Sequence, residues 1–348
     1  MAIVNLMRLT RSAAAVALFA ALVAPPAAHA ETAIHFTLDR KIDGPAAPFF
    51  LAIDKGYFKD EGLDVTVDAA PGSLEAINRL AAGNADMGVV DINMLIKERD
   101  ANNILIKALF VVFDKPPYSV IARRSHGIAT PQDLVGKKLG APAADPAFAQ
   151  WPIFAKINGI DQAKVAIENV GLPVREPMLA SGEVDAITGC AFISYVDLKA
   201  HGVPADDLVV LAMADYGLEL YGDAIVAADT FAQKQPAAVR GFLRAYVRAL
   251  KDTVRDPARA VQGVLRRAEA ANKEIELERL HLAIRNNIVT PAVKANGYGG
   301  IDPERFAAAV EQIALAYRFK AKDKAADVFD PSFLPPAAER DAGEAASR

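Results

Sequence analysis

The residues best suited to bind a small molecule follow predicted strands. In open α/β sheets, ligands bind beyond the carboxyl ends of the strands, where the chain enters the next helix. We therefore select the polar and small residues at these points as ligand-binding candidates. They are Asp39, Lys41, Asp43, Gly72, Ser73, Asp91 and Asn93 in one group, and Asp145, Trp151, Arg175, Gly189, Cys190 and Phe192 in a second group.

The chemistry of this set favours a ligand with an amine. Asp39 and Asp43 lie in the loop 39–48, and a carboxylate in a cleft suits an ammonium or amino group. Arg175 is the one side chain suited to a planar oxyanion. The Gly72–Ser73 turn opens a predicted helix, whose free backbone N–H groups could bind sulfonate, nitrate or carboxylate. We therefore expect an amine-bearing or zwitterionic organic ligand, and bare nitrate fits less well.

Several candidates could instead serve the fold alone. Arg175 could lie at the surface or in a salt bridge between domains, and the acids of loop 39–48 could be solvated. Trp151 could be a core residue or an aromatic wall for a flat ligand, and Cys190 could be a small buried filler. The possible helix caps are Ser73, Asp91 and Asp145.

The sequence lacks motifs for catalysis or metal binding. Cys190 is the single cysteine, and His35, His126, His201 and His281 are too far apart for metal-ligand spacing. There is no G-x-S-x-G motif, P-loop or dinucleotide fingerprint. We therefore expect a protein that is not an enzyme, with no catalytic residue, metal or cofactor.

Alternating strand and helix signals place the candidates in an α/β fold. Residues 34–38 predict a strand, 49–55 a helix and 63–68 a half-buried strand, so the chain opens with a βαβ unit. The alternation continues to about residue 228, and the remainder is almost entirely helical. This pattern predicts doubly wound α/β organisation with a helical C-terminal part.

Strand-like segments near residues 118 and 224 flank the middle of the chain. Two crossings predict a discontinuous first lobe, residues 31–117 and 221–330, with a second lobe inserted at 118–220. A two-strand hinge of this kind would let an open protein close on its ligand. Two independent sequential domains are the alternative. Residues 331–348 are rich in proline, alanine and charge and predict a flexible tail.

Residues 1–30 predict a secretory signal peptide. Arg8 and Arg11 precede the apolar run 13–24, and Ala28-His29-Ala30 is a cleavage signal. An uncleaved membrane anchor is the alternative. Cleavage after Ala30 by the general secretory route changes the net charge from −4 to −6, with no basic face for nucleic acid. One cysteine allows no internal disulfide, so we expect a soluble periplasmic protein.

Several segments resemble a known family. They are GYFKDEGLDV at 56–65, AAGNADMGVVD at 81–91, GIATPQDLVGKKLGAP at 127–142, SGEVDAITG at 181–189 and YGDAIVA at 221–227. In this order they resemble the periplasmic solute-binding proteins of ABC importers, in the branch for nitrate, taurine, alkanesulfonates and thiamine-pyrimidine precursors.

The resemblance implies the type II periplasmic binding protein fold, with the ligand trapped between two lobes. It also implies an ABC permease and ATPase as partners, a monomer, and a taurine-like or aminopyrimidine ligand. A sensing role before a membrane receptor is the alternative. Eukaryotic pyrimidine-forming relatives carry a cysteine cluster and a histidine in their active site, and this chain, with Cys190 alone, cannot form such a cluster.

Overall fold

A computed structural model describes residues 31–321 and 324–343. The predicted signal peptide, 1–30, lies outside these residues, as does the end of the predicted tail, 344–348. None of the helices in the described part of the chain combines the length and apolar character needed to cross a membrane.

The described strands form two five-stranded sheets. The first sheet has the order β2-β1-β3-β10-β4 and the second the order β7-β6-β8-β5-β9. The strands are β1 (Thr32–Leu38), β2 (Leu63–Ala69), β3 (Met87–Asp91), β4 (Ile106–Val111), β5 (Tyr118–Arg123), β6 (Lys138–Gly140), β7 (Ala166–Glu168), β8 (Ala186–Cys190), β9 (Leu208–Ala212) and β10 (Asp223–Ala228).

Helices surround both sheets. The α-helices are α1 (Ala47–Asp54), α2 (Tyr57–Asp60), α3 (Ser73–Ala81), α4 (Ile92–Asn102), α5 (Trp151–Ile157), α6 (Arg175–Ser181), α7 (Ala191–Ala200), α8 (Asp229–Lys234), α9 (Pro236–Arg255), α10 (Pro257–Ala260), α11 (Gln262–Leu265), α12 (Lys273–Ala283), α13 (Pro291–Asn296), α14 (Pro303–Ile313), α15 (Ala325–Val328) and α16 (Ala337–Arg340). A π-helical turn, Ile284–Ile288, continues α12. Short 3-10 turns include Gly44–Ala46, Pro131–Leu134, Phe148–Gln150, Leu172–Val174 and Pro331–Phe333.

The opening βαβ unit is held by stacked aromatic rings. β1 and β2 are parallel neighbours, and Gly56 closes α1 at φ 72°, where glycine avoids the steric cost of other residues. The Phe36 ring lies 4.8 Å from Phe49 of α1 and 5.0 Å from Phe242 of α9, between ring centroids. Such rings bury large apolar areas, so α9, although far away in sequence, completes the core of the first sheet.

The chain crosses between the two sheets twice. Antiparallel β10 returns to the first sheet between β3 and β4. The crossings are hydrogen-bonded to each other, since Val112 N donates to Asp223 O at 2.8 Å and Gly222 N to Phe113 O at 2.9 Å. The predicted α/β class, with two doubly wound sheets, a two-strand connection and a helical C-terminal part, is confirmed.

One expectation for the C-terminal part, the flexible tail at 331–348, was wrong for the residues that the structure describes. Residues 331–343 are not a loose tail, because Phe333 packs into the core and Arg340 donates to the Tyr298 carbonyl at 2.6 Å. Apolar contacts with distant segments order this stretch despite its polar, proline-rich composition.

Candidate functional site

Polar side chains converge at one edge of the first sheet. The carboxyl ends of β1 and β3 meet there, and antiparallel β10 brings its amino end to the same edge. Arg40 Nε donates to Asp39 Oδ1 at 3.1 Å, and Arg40 Nη2 also pairs with Asp223. The guanidinium lies 5.5 Å from the centroid of the Phe113 ring. Two acids therefore share one arginine at this edge.

Ser73 belongs to the same cluster, although not in the predicted role. Its Oγ donates to Asp39 Oδ2 at 2.7 Å and accepts from Asp91 N at 3.0 Å. The cap position of α3 is held by Gly72, so the cap assigned to Ser73 was wrong. The predicted anion contact at this turn is also disfavoured, because the Asp39 carboxylate is already adjacent and would repel a second negative charge.

Asp91 and Asn93 connect the two sheets through Tyr118. Asp91 caps α4 as one alternative predicted, since its Oδ1 accepts from Asn93 N and Met94 N at 2.8 Å each. The Tyr118 hydroxyl, at the start of β5, donates to Asp91 Oδ2 and accepts from Asn93 Nδ2 at 3.0 Å. Burial raises the pKa of Asp91 to about 6. The neighbouring helix α4 and the second sheet are thus anchored on one carboxylate.

Asp43 is the least satisfied acid at the site. Its side chain is 1% exposed, and within the described part of the chain Oδ2 has no hydrogen-bond partner. Burial raises the pKa of Asp43 to about 6, opposed by the positive charges of Arg40 and Arg279. Asn93 Oδ1 is a second buried acceptor without a partner among the described residues.

A second cluster lies at the carboxyl ends of β6 and β8 in the second sheet. Thr188 Oγ1 donates to Asp145 Oδ2 at 2.6 Å, and Arg175 Nη1 lies 3.6 Å from the same oxygen. Arg175 also pairs with Glu176 and donates to Ser194 Oγ at 3.0 Å. Although burial acts to lower the pKa of Arg175, Glu176 and Asp145 outweigh it and raise that pKa. Arg175 is therefore a buried, neutralised cation.

Gly189 permits this close packing. A Cβ atom at position 189 would lie 2.5 Å from Ser194 Oγ and 3.2 Å from Arg175 Cζ, which is too close for any other residue without movement. The glycine thus positions Arg175 through a close approach of the backbone.

Cys190 and Phe192 lie between the two clusters. The Cys190 thiol is close enough to feel the charges of Arg40 and Asp43 from one side and of Asp145 and Arg175 from the other. Burial raises its pKa to about 12, so the thiol stays protonated at neutral pH. Phe192 packs on Phe113, with ring centroids 5.8 Å apart. These residues join the two sheets at the site.

Two candidates are not brought to the clusters. Lys41 is exposed. Trp151 is 2% exposed and packs in the hydrophobic core, with its ring 6.1 Å from that of Phe154. Trp151 is therefore a core residue and not an aromatic wall for a ligand, because protein atoms cover its ring.

Sequence reasoning missed several residues of the site. Asp223 could have been found from the sequence, because it is the first residue of a predicted strand. If that strand is antiparallel to its neighbours, its first residue lies at the edge where the parallel strands end. The residues from α12 had no local signal. Glu276 Oε2 accepts from Gly44 N at 2.7 Å, and the other oxygen of this carboxylate, Oε1, pairs with Arg279. The residues missed are Arg40, Tyr118, Glu176, Thr188, Ser194, Asp223, Glu276 and Arg279.

The two clusters, with Asp43 between them, hold more acids than bases. Within the described residues, no group of three or more His, Cys, Asp or Glu side chains is arranged to hold a metal ion. The arrangement offers two buried hydrogen-bond acceptors, Asp43 Oδ2 and Asn93 Oδ1, to a polar molecule.

A family model described as NMT1/THI5 like matches residues 45–260. A 4-amino-5-hydroxymethyl-2-methylpyrimidine phosphate synthase of Saccharomyces cerevisiae is 27% identical over 222 residues, covering 61% of this chain and 64% of the yeast protein. The match thus spans less than two thirds of the synthase. The formylaminopyrimidine-binding protein of Halalkalibacterium halodurans is 25% identical over 263 residues, covering 73% of this chain and 76% of that protein.

A solved structure has the same fold. The periplasmic aliphatic sulphonate binding protein of Escherichia coli superposes with a TM-score of 0.69 at 15% identity, covering 87% of this chain and 94% of that protein. The chain therefore has the periplasmic binding protein fold.

Proposed function

The chain belongs to the NMT1/THI5-like family, and we propose that it is the periplasmic substrate-binding component of an ABC importer. It captures a small amine-bearing or zwitterionic organic solute between two lobes, residues 31–117 with 221–330 and residues 118–220. The ligand is a taurine-like or aminopyrimidine compound. Of the thirteen ligand-binding candidates, Lys41 and Trp151 are left out of this proposal, because they do not lie in or between the two clusters.

The observation that carries the proposal is a pair of buried acceptors. Asp43 Oδ2 and Asn93 Oδ1 have no hydrogen-bond partner in the described part of the chain. A buried acceptor without a donor costs about 1–3 kcal/mol, and more when it is charged. An amino or ammonium group would supply the missing donors, whereas nitrate and sulfonate oxygens offer only acceptors.

The relatives support this chemistry in part. The Halalkalibacterium halodurans protein is named for binding a formylaminopyrimidine, which carries such N–H donors. The Escherichia coli protein is named for binding aliphatic sulphonates. A zwitterion could use both chemistries, with its amine at the acid-rich first cluster.

The mechanism requires both sheets. Each supplies a polar cluster, and the paired crossings at Phe113 and Asp223 would act as the hinge. Closure around the ligand brings the two clusters to bear on it and creates the surface that the permease and its ATPase recognise. The protein acts as a monomer, with one ligand for each closed molecule.

A thermal-shift screen tests the ligand class. The probes are formylaminopyrimidine, taurine, ethanesulfonate and nitrate, each on the mature chain. A ligand at 100 times its dissociation constant stabilises the native state by about 2.7 kcal/mol. We expect the amine-bearing probes to stabilise the protein, and Asp43→Ala to weaken that effect while the exposed Asp60→Ala does not. Stabilisation by nitrate or ethanesulfonate but by neither amine would refute the proposed ligand class.

A pyrimidine-forming enzyme is the second candidate function. The observation in its favour is the 27% identity to the yeast synthase. The state of the single cysteine argues against it. Burial raises the pKa of the Cys190 thiol to about 12, so this thiol stays protonated and is a poor nucleophile at neutral pH. Mass spectrometry of the small molecules recovered after overnight incubation separates the two functions, because a binding protein returns only the molecules that were added, whereas a pyrimidine-forming enzyme produces a pyrimidine that was not added.

A further inference from the structure

A groove of about 830 Å³ lies in the C-terminal part of the chain, outside the two clusters. It is walled by α13, the loop that precedes α14, and the segment from α15 to α16. Its wall is largely apolar, and the apolar side chains that matter here are Val293, Ile301, Phe329 and Leu334. The volume is within the usual range for small-molecule sites.

The two acids in this wall are already engaged. Asp114 Oδ1 accepts from Arg305 Nη1 at 2.9 Å, and Asp114 Oδ2 accepts from Thr290. Asp302 caps α14, since its Oδ1 accepts from Arg305 N at 2.8 Å. Arg305 is neutralised by Asp114 and stacks 3.9 Å from the centroid of the Tyr221 ring. Arg305 and Asp114 thus neutralise each other, whereas the Asp302 carboxylate is held at the start of α14 by a backbone N–H group.

Arg340 differs from Arg305 because it has no acidic partner. Its Nη1 donates to Tyr298 O at 2.6 Å and its Nε to Pro335 O at 2.9 Å. No carboxylate pairs with it among the described residues. Burial lowers the pKa of this guanidinium, as expected for a cation without a nearby negative charge. The two carbonyls fix the guanidinium at the wall of the groove.

We propose that this groove is a second ligand site, which binds a small organic carboxylate with an apolar body. The carboxylate pairs with the Arg340 guanidinium, and the body packs on Val293, Ile301, Phe329 and Leu334. A charge-assisted hydrogen bond is stronger than a neutral one, and the apolar wall excludes water around it. The site is independent of the amine-bearing ligand between the lobes.

Benzoate is the probe, and benzamide is its uncharged analogue of nearly the same shape. Both are titrated into the mature chain and followed by calorimetry. We expect benzoate to bind and benzamide to bind at least about tenfold more weakly, the loss typical of a hydrogen bond to a charged group. Arg340→Gln should remove that difference, whereas Arg318→Gln, at an exposed position outside the groove, should retain it.

A second variant tests the groove independently, in case Arg340→Gln disturbs folding. Ala292 is an exposed residue of the groove wall, and Ala292→Trp should block benzoate while the unfolding temperature stays near that of the wild type. Asp43→Asn should leave benzoate affinity unchanged, which separates this groove from the site between the lobes. Benzoate affinity unchanged in both Arg340→Gln and Ala292→Trp, or no binding at millimolar benzoate, would overturn the proposal.

Discussion

At the residue scale, the Asp43 carboxyl group links protonation to stability. Burial raises its pKa from 3.8 to about 6 in the folded protein. Because the folded-state pKa is the higher one, the protonated form is favoured by folding. The protonated Asp43 therefore contributes its whole share of the free energy of unfolding below about pH 4, and this contribution is lost as the pH rises through 6.

Asp43→Asn removes this dependence. Relative to the wild type, the variant should gain stability as the pH rises from 4 to 7, by up to about 3 kcal/mol, and the gain should then level off. Urea unfolding of ligand-free protein at several pH values measures the difference. Parallel stability curves for the two proteins would contradict the assignment of a buried, uncompensated carboxyl group.

At the element scale, α12 is the support for the loop that carries Asp43. It packs on the Gly44–Ala46 turn and on α7 at the same time. Gly44 N donates to the Glu276 side chain, and a Cβ atom at position 44 would lie only 2.1 Å from the Glu276 backbone oxygen. The helix can approach the loop this closely only because residue 44 is glycine.

Gly44→Ala should therefore push α12 away from the loop. Overpacking of this kind costs about 1–3 kcal/mol, and the displaced Asp43 should also weaken ligand binding. Gly171→Ala is the matched control, since its Cβ would meet ordinary contacts at 3.7 Å, and its effect should stay within about 0.5 kcal/mol. Chemical denaturation of both variants gives the comparison, and equal stability of the two would refute the steric argument.

At the scale of the whole molecule, ion pairs join helices α12 and α7. Arg279 and Glu278 of α12 pair with Asp197 and Lys199 of α7, which follows β8 of the second sheet. If the lobes open, these pairs must separate. They would then bias the ligand-free protein toward the closed arrangement.

Asp197→Asn weakens one of these pairs and should favour the open form. We expect a larger radius of gyration without ligand, by small-angle X-ray scattering, and ligand affinity reduced a few-fold. Asp60→Asn is the control, because its pair with Arg248 lies within one lobe and should change neither quantity. An unchanged radius and affinity in Asp197→Asn would show that this pair does not control closure.

The sequence by itself determined the alternation of strands and helices, because each element depends on periodicity and turn residues within a short window. It also indicated where polar residues would gather. Asp39, Asp91 and Cys190 end or follow strands of the two sheets, and the carboxyl ends of parallel strands meet at one edge. These features are local, or follow from the rules of sheet topology.

Only the tertiary structure decided which residues meet and what burial does to them. Glu276 reaches Gly44 across 232 positions of sequence, and Arg40 pairs with Asp223 from a strand that returns after the second sheet. Lys41 points outward although it lies beside Arg40, and Trp151 enters the core. Because desolvation depends on every neighbour at once, the raised pKa of Asp43 could not be read from the residues around it in sequence.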